Sequence, residues 1–271
     1  MPPRPIPLAS AKRPAPAAKT LSVYDAEDLK WHTAGKTGLA LKPVREDREK
    51  GRFLGLVGFE PLTRSGLHQH LGVATSFVLD GSLTDYQGPI TLHEAGINLK
   101  GATHDAIAYQ RSLLVSRLEA PVIYPAETDR DYALHTGPRF GSIRNPNPEI
   151  EPDINVPVDH LRALPTGIGG VTRKMIFDYA RSSGEHRYVQ MGMLSGARTP
   201  AFTTTAVLEL WVRAGDIRIG DKIAYANCFV IVEPGATISI ESDFGALFHV
   251  WSEGRMQWTD GGTKPDLFGF Q

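Results

Sequence analysis

The chain has 271 residues, 41% hydrophobic and 22% charged, and its single cysteine, Cys228, excludes an internal disulfide framework and a cysteine-built zinc knuckle. Lysine and arginine number 29 against 30 acidic residues, a net charge of -1 that excludes nucleic-acid binding by bulk charge. No apolar run approaches the roughly 18 residues of a membrane span, and the opening residues lack the apolar core of a secretory signal. The expectation is a cytoplasmic protein with neither membrane nor nucleic-acid partners.

Residues 1–29, rich in proline and alanine at their start, read as an N-terminal tail. From about residue 37, short β-type runs at 37–41, 53–59, 74–79, 90–92 and 112–117 alternate with turns at Gly66, Gly81, Gly88 and Gly101. Residues 125–169 hold scattered prolines and charges and read as a connector, with one helical turn expected at 159–164. The β pattern returns at 173–179, 188–194, 207–212, 228–232, 237–240 and 246–251, and residues 258–271 read as a C-terminal tail. Helical periodicity is not sustained over 11 residues anywhere. The class is all-β, and strands this short and numerous fit sandwiches or barrels.

The two β regions superpose in sequence. Gly81 closes SFVLDG and Gly215 closes LWVRAG, 134 residues later; Gly101 and Gly235 open turns at the same separation. Shared spacing within matching strand runs predicts an internal duplication. The expected domains are barrels at 30–124 and 170–257.

Chemistry concentrates in Ser65-Gly66-Leu67-His68-Gln69-His70. On a strand, residues i and i+2 face the same side, so His68 and His70 project together as a chelating pair. His104, three residues after the turn glycine Gly101, is the third candidate, returned by a paired strand. Imidazole suits Fe, Zn, Ni, Cu and Mn alike, so these residues do not choose the metal.

The spacing of His68, Gln69, His70, Ala74 and Gly81, followed by Gly101 and His104, resembles the two motifs of the cupins. The similarity covers about residues 30–124 and, more weakly, 170–255, and is nearest to the ChrR-like cupins and to dioxygenases that cleave acetylacetone or dihydroxyacetophenone. It implies two tandem jelly-roll (RmlC-like) barrels, a divalent transition metal on His68, His70 and His104, and Fe(II) as that metal, with Zn, Ni or Mn also compatible. Ala74 replaces the glutamate of the first motif. The diketone-cleaving relatives also use three histidines, so that loss leaves the site intact, while the oxalate-decarboxylase branch retains the glutamate. Glu94 is a candidate fourth ligand or acceptor.

The 134-residue offset carries the three ligands onto Phe202, Thr204 and Ile238, none of which suits a transition metal, so the second barrel is expected to be metal-free. His249 reads as a hydrogen-bonded core residue, and His93 could face either way. His32, His135, His160 and His186 read as surface, and 45–52 as a solvated hairpin tip. Phe59, Phe77 and Tyr86 could border the cavity or pack the core. No protein acid or base is assigned. Two functions compete: oxidative C–C cleavage of a small carbonyl compound with dioxygen, and a metal-containing barrel that senses or binds a small molecule without turnover. A homodimer is expected, since sheet edges need cover.

Overall fold

The structure, a computed structural model, describes residues 20–85, 88–124, 154–179, 186–262 and 264–269. Tyr86, His135 and residues 125–153 of the expected connector lie outside the described residues. Two antiparallel sheets dominate, and their central strands follow one order. In the first, Leu39–Asp47 pairs with Arg52–Phe59, then Ser112–Leu118, Ala74–Asp80 and Glu94–Asn98. In the second, Val171–Tyr179 pairs with His186–Met193, then Ala246–Ser252, Leu208–Ile219 and Cys228–Val232.

Four of these strands begin 134 residues after their counterparts. The leading hairpin strands, Leu39–Asp47 and Val171–Tyr179, lie 132 apart, because the loop before His186 is two residues longer. Even the irregularities repeat. The register shift between Leu113 and Leu114 has its counterpart between Val212 and Ala214, and the shift at Pro43/Arg45 recurs at Met175/Phe177. A bulge re-aims the strand that carries it, so its retention in both halves keeps the two barrels alike in curvature.

Two expected boundaries need correction. Leu21–Asp25 is a strand of the second sheet, paired with Cys228–Val232, and Ile154–Pro157 is a strand of the first, paired with Glu94–Asn98. Each repeat thus sends its leading strand to the other repeat's sheet. Short strands whose partners are distant in sequence carry no hairpin signal, which is why 20–29 read as tail and 154–157 as connector. Each exchanged strand runs into a 3-10 turn, Ala26–Asp28 or Val158–His160, the latter in place of the helical turn expected at 159–164. A lysine latches each turn: Lys42 Nζ donates to the Ala26 carbonyl, and Lys174 Nζ to that of Val158 at 3.0 Å. The C-terminal stretch is likewise no tail. Leu267 and Phe268 are fully buried inside the second barrel, with Arg173 Nη1 donating to the Leu267 carbonyl at 2.9 Å.

Strand alternation sets the cores. Along Ala74–Asp80, Val78 faces the first barrel's interior while Phe77 and Leu79 face the joint between barrels. There Leu54, Phe77 and Val115 pack against Tyr188, Trp211 and Trp251, and burying each such large side chain contributes about 1.5–3 kcal/mol. The second barrel's interior is filled by a large cluster that includes Phe202, Leu210, Val250 and Phe268; the first barrel's interior cluster is small. Among the described residues no helix is long and apolar enough to cross a membrane.

Candidate metal centre

His68 and His70 lie on the strand His68–His70, and Thr103–His104 pairs with it so that His104 stands opposite His68. Gly101, at φ 93°, makes the turn that allows this return, and its N–H donates to the His70 carbonyl at 2.7 Å. The three rings converge. His104 Nε2 stands 3.1 Å from His70 Nε2 and 3.2 Å from His68 Nε2, with all three side chains buried.

His68 Nδ1 lies 2.7 Å from the Gly66 carbonyl, which fixes the proton on Nδ1 and leaves a lone pair on Nε2. Burial, then the neighbouring His104 and Lys36, outweigh the Gly66 carbonyl and hold the His68 pKa down to about 4. Burial and the two other imidazoles push His70 well below its ordinary value. At least two of the rings are therefore free bases at neutral pH. Lone pairs aimed at one point repel unless a cation lies between them. Two nitrogens each about 2.1 Å from one ion at right angles lie roughly 3.0 Å apart, so this donor set fits a first-row divalent metal.

Two residues invisible to the spacing argument support His104. Its Nδ1 lies 3.4 Å from Asp85 Oδ2 and 3.5 Å from the Asn98 side-chain amide. A buried carboxylate behind a ligating imidazole orients the ring and raises its basicity. Asp85 is only 1% exposed. Nothing in the residue spacing ties Asp85, on the strand Leu83–Asp85, to His104. Glu94 is not part of the cluster: its carboxylate accepts the Thr91 N–H at 2.7 Å in the turn before its strand.

The cluster opens into a cavity of about 340 Å³ within the first barrel, lined by Phe59 but not by Phe77. The other histidines scatter. His249 is fully buried, with Tyr188 Oη 2.7 Å from Nδ1 and Gln190 Nε2 2.9 Å from Nε2, as expected of a core histidine. His93 stacks on Phe77 and pairs with Asp159 at 2.7 Å, away from the cavity. His32 and His160 are exposed. His186, expected at the surface, is instead largely buried at the joint, 2.6 Å from Glu119 Oε1. The 45–52 hairpin is also more than a solvated tip. Glu46, Asp47, Arg48 and Arg52 line the cavity's edge, while Arg45 and Arg52 reach Glu209 and Glu253 of the second barrel at 3.0 and 3.3 Å. Charge alternation along one strand cannot show that its partners sit on another barrel.

In the second barrel the corresponding place is packed shut. Phe202 bridges Ile238 as His68 pairs with His104, and Phe268 stands edge-on to Phe202 at 5.9 Å. Neither Phe202, Thr204 nor Ile238 offers an imidazole, and all three are buried. The floors differ too. Across the first sheet, Gly96, Ser76, Ser116 and Gly55 lie side by side, where the second has Val230, Leu210, Val250 and Val189. Small residues hollow the first barrel, and branched ones fill the second.

Residues 19–120 match the ChrR Cupin-like domain. Among solved structures, a Nostoc punctiforme PCC 73102 protein provisionally named a dioxygenase superposes with a TM-score of 0.66, at 10% identity over 91% of this chain and 85% of its own. An arginine-to-alanine mutant of Bacillus subtilis oxalate decarboxylase gives 0.63, at 11% identity over 88% and 79%. The Lactobacillus farciminis oxalate decarboxylase in complex with formate gives 0.60, at 12% identity over 88% of both chains. The fold is the cupin jelly roll, in duplicate. At such identities the likeness speaks for the cupin fold alone. The Bacillus decarboxylase carries Mn(II) centres. No curated protein sequence matches the chain.

Proposed function

We propose that this cupin is a metal-dependent oxygenase that cleaves a C–C bond in a small carbonyl compound, such as a β-diketone or hydroxyaryl ketone, with Fe(II) held by His68, His70 and His104. The observation that carries it is the convergence of three Nε2 atoms on one point at the wall of an interior cavity, with no carboxylate among them. Neutral ligands leave a divalent ion its full charge, which favours an anionic bidentate enolate. Structural metal sites are usually closed by four protein ligands, whereas three keep positions free for substrate. When bound, the metal supplies Lewis-acid polarisation of the substrate oxygens and redox partnership with dioxygen.

The protein's own part is placement. Gly66 and Asp85 orient two of the rings, and Phe59, Leu83 and Leu114 wall the cavity against water. Elemental analysis of freshly purified protein should find about one transition metal per chain. Oxygen-electrode assays of Fe(II)-loaded protein across β-diketones and hydroxyaryl ketones should show substrate-dependent oxygen uptake. Tight binding of such compounds without any oxygen uptake would establish the sensing or binding barrel instead.

A further inference from the structure

The cavity floor carries a feature that metal binding does not need. Ser76 and Ser116 are cross-strand neighbours, both line the cavity that holds the three histidines, and neither hydroxyl has a hydrogen-bond partner among the described residues. Asn98 lines the same cavity and stands in register with Ala74, two residues before Ser76 on the same strand face. The corresponding residues in the packed barrel are Leu210, Val250 and Val232, all part of its core. A jelly-roll interior is thus stable with branched apolar residues at these three places. Polar groups facing a barrel interior lose stability unless something there bonds them.

The structure sets the Asn98 amide nitrogen 3.5 Å from His104 Nδ1. Because a metal-ligating His104 carries its proton on Nδ1, two donors would then face each other, and turning the amide over puts its oxygen on the His104 side, where it can accept, and its NH2 group toward the cavity. The floor then offers two hydroxyls, which donate or accept, and one amide donor. The arginines that line the cavity are each paired: Arg117 with Glu209, Glu119 and Glu253, Arg52 with Glu253 at 3.3 Å, and the exposed Arg48 at the rim with Glu46 at 3.1 Å.

We infer that Ser76, Ser116 and Asn98 form a specificity subsite that hydrogen-bonds an uncharged oxygen substituent, a hydroxyl or carbonyl beyond the two oxygens that chelate the metal. The inference rests on the proposed metal site and narrows its substrate class to carbonyl compounds with a further neutral oxygen. Dicarboxylates are disfavoured, because the subsite holds no free cation.

The test uses full-length protein loaded with Co(II), with ligand binding followed by the metal's visible absorption. The probes are benzohydroxamate, a bidentate chelator, and its 3-hydroxy and 4-hydroxy derivatives. One hydroxylated probe should bind roughly 10-fold tighter than benzohydroxamate, a difference of about one well-made hydrogen bond. In the Ser76→Ala/Ser116→Ala protein that preference should fall to about one, with Co(II) content and benzohydroxamate affinity within about twofold of the parent. Asn98→Leu should reduce it independently. Equal binding of all three probes by the parent, or a preference that survives the double substitution, overturns the inference while leaving the metal site standing. A parent that takes up no Co(II) overturns the proposed function and the subsite together.

Discussion

The two barrels share strand order, register and bulges, yet one is hollow and the other solid. Their difference is concentrated on one inner face. Gly55, Ser76, Gly96 and Ser116 leave the floor of the first barrel low, where Val189, Leu210, Val230 and Val250 raise that of the second. His68, His70 and His104 face the space so made, whereas Phe202 and Ile238 pack in one cluster with the plug formed by Leu267 and Phe268. A fold that tolerates both solutions is held together elsewhere. The exchanged strands and the shared apolar joint do that, freeing the first interior for chemistry.

The largest expected difference is in metal. His104→Ala should weaken metal binding by more than the roughly 100-fold that loss of an outer-shell partner costs, because one of three ligands is gone. Thr204→Ala, on the second barrel, should change nothing. Elemental analysis of both variants beside the parent checks this, and metal retained in the His104 variant would break the assignment.

The joint offers the next contrast, because it is symmetric in place but not in chemistry. Trp251 Nε1 donates to Thr75 Oγ1 at 2.9 Å, and at the corresponding positions Arg117 Nε donates to Glu209 Oε2 at 2.6 Å. Removing the Glu209 charge takes from Arg117 one of its three carboxylates, leaving Glu119 and Glu253, and takes from the partly exposed Arg45 its carboxylate partner. Glu209→Gln should therefore cost about 1.5–3 kcal/mol, the range for hydrogen bonds to charged groups, against about 1 kcal/mol for Thr75→Val at the neutral pair. Urea unfolding of the two variants measures the ratio. Equal losses would mean that solvent reaches the arginines and the charge is not confined.

Smaller effects come from exchanging the two floors. Val250→Ser puts a hydroxyl and a void into a packed core and should cost about 2–3 kcal/mol. The reverse change, Ser116→Val, removes an unpaired hydroxyl and fills empty space, and should stabilise by about 1 kcal/mol while shrinking the cavity. Thermal unfolding of both gives the signs. A destabilising Ser116→Val would show that the hydroxyl has an occupant in the free protein.

Much of this contrast is legible in the sequence, since the glycine turns alone set the 134-residue offset and the His-x-His alternation with a turn-returned His104 sets the cluster. The exchanged strands are not, because a strand read locally says nothing about which distant edge it completes. Asp85 and Asn98 have no spacing signature. Ser76 and Ser116 did carry a signal: the same offset sets each against a branched apolar residue, Leu210 and Val250, in an otherwise matching strand. His186 misleads because its neighbours in sequence are polar while its contacts come from the other repeat.

The smallest effect concerns a second matched pair at the joint, Glu119 with His186 and Glu253 with Arg52, at 2.6 and 3.3 Å. Burial raises the Glu119 pKa, but the His186 contact and the Arg117 charge outweigh it, so the carboxyl sits below its ordinary value of 4.5. The folded protein then binds fewer protons than the unfolded chain at this group. Its stabilisation is fully present above the unfolded pKa and is lost as pH falls through the folded one. Unfolding free energy should thus decline from about pH 4.5 downward, and Glu119→Gln should make that decline shallower while leaving the slope between about pH 5 and 7 governed by other groups. Urea midpoints at about pH 6, 4.5 and 3 for both proteins decide it. Parallel curves would show that the acid decline does not originate at Glu119, and that its contacts with His186 and Arg117 do not set the stability of the joint.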